Sequence, residues 1–127
     1  MDFERARLNM IEQQIRPWDV LDQDVLDLLM VVKREDFVPP AWRAMAFTDM
    51  DVPLILDGKP TGESMFAPKL EARLLQQLSV RRHEHALEIG TGSGFQSALL
   101  SRIVTKQYSI EIINPLGSAV QRIISPL

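Results

Sequence analysis

His85-Ala86-Leu87-Glu88-Ile89-Gly90-Thr91-Gly92-Ser93-Gly94-Phe95 is the stretch on which the reading of this chain turns. An apolar run carrying one acid stops at three alternating glycines, and Phe95-Gln96-Ser97-Ala98-Leu99-Leu100 then has the composition of the first turns of a helix. The pattern predicts a strand, a tight turn and a helix. A turn this sharp calls for residues without a Cβ, either because φ is positive or because a ligand approaches the backbone closely. The first amides of the helix carry a partial positive charge, which favours an anionic group there.

The spacing of the glycines excludes two phosphate-binding patterns. A P-loop needs Gly-x-x-x-x-Gly-Lys-Ser/Thr, and no lysine follows here; a dinucleotide fingerprint needs Gly-x-Gly-x-x-Gly, which would put glycine where Phe95 stands. A second strand is predicted over 107–113. It carries Glu111, 21 positions after Gly90, close to the roughly 20-residue separation at which a βαβ nucleoside site places a carboxylate for the ribose hydroxyls. Gly-x-Gly-x-Gly preceded by an acid resembles the first motif of class I methyltransferases that use S-adenosyl-L-methionine (SAM). That resemblance implies that Gly90, Gly92 and Gly94 lie under the methionine part of SAM, that Glu88 holds its amino group and that Glu111 accepts the ribose hydroxyls.

The totals set limits. A chain of 127 residues with 46% hydrophobic content is long enough for one domain with a core. A net charge of −3 argues against a non-specific nucleic-acid binder. With no cysteine there is neither a disulfide framework nor a thiolate metal site, and no metal is expected. No run approaches the roughly 18 apolar residues of a membrane span, and Asp2-Phe3-Glu4-Arg5 is not a signal-peptide start. A cytoplasmic protein without membrane contact is therefore expected.

Upstream of the glycine turn, residues 2–16 read as an amphipathic helix ended by Pro17, because the residue before a proline is pushed out of the helical region. Asp22 can cap a second helix with an apolar face of Val25, Leu26, Leu28, Leu29 and Val32. Lys33-Arg34-Glu35-Asp36 reads as its solvated end. Residues 41–46 suit a short helical turn, Pro53-Leu54-Ile55-Leu56 a short strand, and residues 57–62 a loop. Pro68 suits the first turn of a helix over 69–78, where a missing N–H costs nothing. A further helix is read over 116–124. Trp18, Trp42 and the methionines are read as packing residues, and His83 and His85 as having no direct role.

The order of these parts is similar to the N-terminal portion of the protein-L-isoaspartate O-methyltransferase family. The similarity runs through Met10-Ile11-Glu12-Gln13-Gln14-Ile15-Arg16, Asp24-Val25-Leu26, Val32-Lys33-Arg34-Glu35-Asp36-Phe37-Val38-Pro39, the glycine motif and Tyr108-Ser109-Ile110-Glu111. It implies an α/β, Rossmann-like SAM-methyltransferase fold, incomplete: N-terminal helices, a small hairpin, then the first βαβ unit. Residues 1–80 would be a helical region with a substrate-side loop, and 81–127 the first part of the SAM-binding domain. The reaction implied is methyl transfer from SAM to isoaspartyl carboxylates of damaged proteins. It asks little of acid–base groups, since a carboxylate is already nucleophilic near neutral pH, and much of positioning and desolvation.

Two departures bear on that expectation. The family's Thr-Ile-Ser-x-Pro segment aligns on Pro68, so Ser64 takes the threonine position and Phe66 stands where the catalytic hydroxyl is expected. Ser64 is then the candidate catalytic residue. The later strands that the resemblance implies are not in the 127 residues, so a half-sheet with exposed apolar faces is expected, either as a fragment or completed by pairing with another copy of the chain. The alternative is a non-catalytic SAM- or nucleoside-binding member, or a truncated structural one.

Overall fold

Asp2 opens the first helix, α1 (Phe3–Met10), its side chain accepting from the Arg5 N–H at 3.1 Å. The structure, a computed structural model, describes residues 1–111; the helix read over 116–124 and the end of the strand read over 107–113 lie outside the described residues. After α1 the chain widens into a π-helical turn (Ile11–Ile15) and tightens into a 3-10 turn (Arg16–Trp18). Pro17 does not end the helical path as its position suggests. Arg16 keeps helical angles (φ −61, ψ −41), and the turn stops at Asp19, in the left-handed region at φ 60. The wide turn accounts for this: the Arg16 N–H reaches back to the Ile11 carbonyl, and Pro17 sits at the start of a short turn that needs no donor from it.

Asp22 caps α2 (Gln23–Val31), accepting from the Asp24 N–H at 2.9 Å, and Val25, Leu26 and Leu29 form its buried face. The charged run that follows is not a solvated helix end. It forms a 3-10 turn (Arg34–Phe37) in which Arg34 and Glu35 are both buried. Glu35 points to α1 and binds the Arg7 guanidinium, with both carboxylate oxygens 2.5 Å from Nη2. Arg34 points the other way, to Glu71. Breaking a buried pair by removing one partner costs about 3–5 kcal/mol, so these two pairs fix how the N-terminal segments sit on the rest of the chain. A second 3-10 turn (Pro40–Met45) follows, with Trp42 partly buried against the core. Trp18 departs from its reading: it is half-exposed, with the Lys69 ammonium 4.7 Å from its ring centroid.

The segment read as a loop is mostly strand. β1 (Val52–Leu56) and β2 (Lys59–Met65) form an antiparallel hairpin whose two-residue turn is Asp57-Gly58, with φ of 51 and 76. Asp-Gly is a preferred pair for such a turn because both positions need positive φ. The hairpin delivers the chain into α3 (Pro68–Leu78), with Pro68 in its first turn.

From there β3 (His85–Ile89), α4 (Phe95–Ser101) and β4 (Lys106–Ile110) make one βαβ unit, the two strands parallel and paired from His85 with Lys106 to Ile89 with Ile110. Phe95, Ala98, Leu99 and Leu100 bring α4 into the same core as Ile11, Ile15, Val25 and Leu75. The period of two along paired strands puts Leu87, Ile89, Tyr108 and Ile110 on one face and Glu88 and Ser109 on the other. The polar face meets α4. All four residues of the apolar face are more than half exposed. No helix among the described residues is long and apolar enough to cross a membrane.

Candidate functional site

The turn after β3 has all three glycines at positive φ: 89 at Gly90, 57 at Gly92 and 87 at Gly94. Its amides are used in sequence. Those of Gly90 and Thr91 donate to the Ile110 carbonyl at 2.6 and 3.2 Å, which ties the turn to the end of β4. That of Gly92 donates to Oε2 of Glu111 at 2.7 Å, and that of Gly94 to the Thr91 carbonyl at 2.9 Å. Gly94 then caps α4, and the Phe95 amide meets Ser93 Oγ at 3.3 Å. A Cβ built on Gly90 meets nothing within 4 Å, and one on Gly92 meets only Leu54 Cδ1 at 3.9 Å. Backbone angle, not crowding within the chain, is what calls for glycine here, and the space over Gly90 is open.

Glu88, the last inward residue of β3, is held from two elements. One carboxylate oxygen accepts from Ser97 Oγ on α4 and from Ser109 Oγ on β4, the latter at 2.8 Å. Burial pushes the carboxyl above its ordinary pKa, the two hydroxyls pull it back, and the nearby Glu111 charge adds to the rise. Thr91 Oγ1 lies 2.5 Å from Ser109 Oγ, so the turn joins the same network.

In front of the turn lies a cleft of about 210 Å³. One wall is the end of the hairpin, Ser64 to Phe66; Glu71 and Leu74 of α3 and Gln96 of α4 flank it, and the turn from Glu88 to Ser93 closes it. Its volume is below the roughly 300–1,000 Å³ of clefts that enclose a whole drug-sized ligand, so it suits one end of such a ligand. Among the described residues the lining holds two carboxyls, Glu71 and Glu88, and neither lysine nor arginine. Burial pushes Glu71 up to about 6, against the opposing pull of Arg34. Arg34 pairs with Glu71 at 2.9 Å and offsets its charge, so a positively charged ligand end is favoured on the Glu88 side of the cleft.

Of the residues singled out in the sequence, Ser64, Glu88, Gly90 and Gly92 line the cleft. Gly94 stands behind it as the cap of α4, and Glu111 lies beside it on the Gly92 amide. Ser64 is exposed and does not cap α3: the cap is Ala67, whose amide goes to Asp51 Oδ1 at 2.8 Å. Phe66 stands at the mouth, 51% exposed. His83 and His85 are exposed and outside the lining. Sequence reasoning missed Arg34, Glu71, Ser97 and Ser109. Only Ser97 carried a local signal, as a hydroxyl at the start of an apolar helix face.

A glycine turn between parallel strands, with its cleft at their carboxyl ends and an acid on each strand's path, defines a Rossmann-like α/β unit. Comparison with known proteins makes the assignment particular. The family model described as protein-L-isoaspartate(D-aspartate) O-methyltransferase matches residues 5–126. Curated relatives carrying the name protein-L-isoaspartate O-methyltransferase include those of Opitutus terrae, 36% identical over 91% of this chain and 49% of that protein, and Aeropyrum pernix, 38% identical over 91% and 44%. A relative in Pelobacter propionicus, named protein-L-isoaspartate O-methyltransferase 1, is 33% identical over 100% of this chain and 57% of its own length. A solved structure titled protein-L-isoaspartate O-methyltransferase superposes with a TM-score of 0.67 at 21% identity, over 94% of this chain and 38% of that one, which establishes the fold. The chain belongs to the protein-L-isoaspartate(D-aspartate) O-methyltransferase family. It spans about half the length of the curated relatives it matches.

Proposed function

We propose that the chain binds SAM at the glycine turn and serves methyl transfer to the side-chain carboxylate of isoaspartyl residues in proteins, the activity its relatives' names state. The observation that carries this reading is the pairing of an open space over Gly90 with the Glu88 carboxyl, in a lining that holds neither lysine nor arginine among the described residues. The methionine end of SAM carries an ammonium and a sulfonium, so the charge of the lining fits it. Glu88 would hold the amino group, Gly90, Gly92 and Gly94 would let it approach the backbone, and Glu111 would accept the ribose hydroxyls. Bound there, SAM supplies a methyl carbon to a carboxylate oxygen, the electron pair of the broken C–S bond staying on sulfur. Ser64 is the chain's candidate for a hydrogen bond to the acceptor, and Phe66 would shield the mouth from water.

In this reading residues 1–80 face the acceptor and 81–127 bind the donor, in a cytoplasmic setting. The open apolar face of β3 and β4 is where we place self-association with a second copy, which a rise in mass with concentration in light scattering would support and a constant monomer mass would overturn. The test of function is incubation with methyl-labelled SAM and an isoaspartyl peptide. Base-labile methyl ester on that peptide, and none on its normal aspartyl counterpart, is the expected result. Saturable binding of S-adenosylhomocysteine without any ester would leave a non-catalytic binder instead.

A further inference from the structure

The reading of Lys33-Arg34-Glu35-Asp36 as a solvated end left Arg34 without a task, yet it is 1% exposed and touches four parts of the chain. Its Nε donates to the Ala46 carbonyl at 2.7 Å, Nη1 to Glu71 Oε1 at 2.9 Å, and Nη2 to the Phe66 carbonyl at 2.8 Å. Its guanidinium carbon lies 5.0 Å from the ring centroid of Phe95, the residue that follows the glycine turn. Both walls of the cleft therefore meet on one planar group. On one side is the Ser64–Phe66 wall, held through the Phe66 carbonyl; on the other are Glu71, which lines the cleft, and Phe95 at the foot of α4. Gln96 Nε2, at 3.5 Å from the Glu71 carbonyl, reinforces the second side.

We propose that Arg34 is a positioning residue that fixes the spacing between the Ser64–Phe66 wall and the glycine turn, and so sets the methyl acceptor against the donor. Resting as it does on the methyltransferase reading above, this adds to it a residue outside the cleft. The chemistry suits the task. A guanidinium presents five donors in a rigid fork, so three acceptors on separate segments are held in one plane, which a lysine ammonium on a flexible stem cannot reproduce. The Phe66 ring is half-exposed while its carbonyl is fixed, so the backbone of the wall is anchored and its side chain remains available to the acceptor. In-line methyl transfer depends on placement, and a misplacement of about 1 Å can cost on the order of 100-fold in rate.

The test compares the unchanged chain with R34K, which keeps a cation facing Glu71, and with R34Q, which keeps amide donors without the fork; neither changes a residue that lines the cleft. Folding is checked by circular dichroism and thermal unfolding, donor binding by titration with S-adenosylhomocysteine, the wall by hydrogen exchange of the 64–67 amides, and catalysis by kcat and KM on an isoaspartyl peptide. In whichever variant folds, exchange over 64–67 should quicken and kcat should fall about 10–100-fold, while affinity for S-adenosylhomocysteine changes far less. A folded variant with unchanged exchange and unchanged kcat overturns the proposal, as does one in which donor affinity falls as far as kcat. If the unchanged chain forms no ester, the methyltransferase reading fails by itself. The exchange measurement then still decides whether Arg34 holds the wall.

Discussion

Replacing Ser97 by alanine tests the local network that joins β3, α4 and β4. Ser97 is buried, and its hydroxyl donates to the Glu88 carboxylate, which also accepts from Ser109. A hydrogen bond to a charged group contributes about 1.5–3 kcal/mol; Glu88 is only half-buried and water can partly replace the donor, so about 1–2 kcal/mol is expected. The cost should depend on pH. Burial already holds the Glu88 carboxyl above its ordinary pKa, and Ser97 opposes that rise, so the variant pushes it further up. A carboxyl raised in the folded state contributes stability that is present below its unfolded value and lost as pH rises through the folded value. The S97A cost should accordingly be largest near pH 8 and shrink near pH 4.5, where a protonated Glu88 no longer needs the donor. Urea unfolding of both proteins at the two pH values measures it. Ser101→Ala serves as control, since Ser101 Oγ returns to the Ala98 carbonyl of its own helix. An S97A cost equal at both pH values, or no larger than that of the control, would refute the reasoning.

Glu111→Ala should weaken S-adenosylhomocysteine by about 1–3 kcal/mol, since it removes a charge-assisted acceptor and leaves the Gly92 amide without its carboxylate; calorimetric titration checks it, and an unchanged Kd would separate Glu111 from the site. Gly90→Ala places a Cβ where φ is 89, in open space, so strain of about 1–3 kcal/mol should appear in unfolding together with weaker ligand binding; a variant as stable as the parent would show that the turn tolerates a side chain. Acidification should favour the folded state through Glu71. Its carboxyl, pushed up to about 6 from an ordinary 4.5, contributes about 2 kcal/mol below pH 4.5 that is lost as pH rises through 6, and E71Q should flatten that part of the stability profile.

The strand, turn and helix around the glycines were legible because every signal for them is local: alternation in β3, residues without Cβ at positive φ, an apolar face on α4. The α2 and α3 starts were legible for the same reason, through Asp22 and Pro68. The small hairpin is expected only from the family resemblance; from the residues its second strand reads as a loop, because Pro60 and Gly62 outweigh the pairing signal of Asp57-Gly58. Pro17 misled because a π-helical turn ahead of it absorbs the conflict that normally stops a helix. Arg34 and Glu35 were not legible. Their partners, Glu71 and Arg7, lie 37 and 28 positions away, and nothing in a run of four charged residues says which ones will be buried. The cleft's far wall was hidden in the same way, since residues 64–66 meet the glycine turn only through the tertiary fold.

The central claim is that the glycine turn binds an adenosyl ligand through its flanking acids, and titration of the 127-residue chain with S-adenosylhomocysteine tests it most directly. Saturable one-to-one binding that E111A weakens is the expected result. No saturation up to about 1 mM, the weak end of the range for enzyme ligands, or binding indifferent to Glu111, would contradict it.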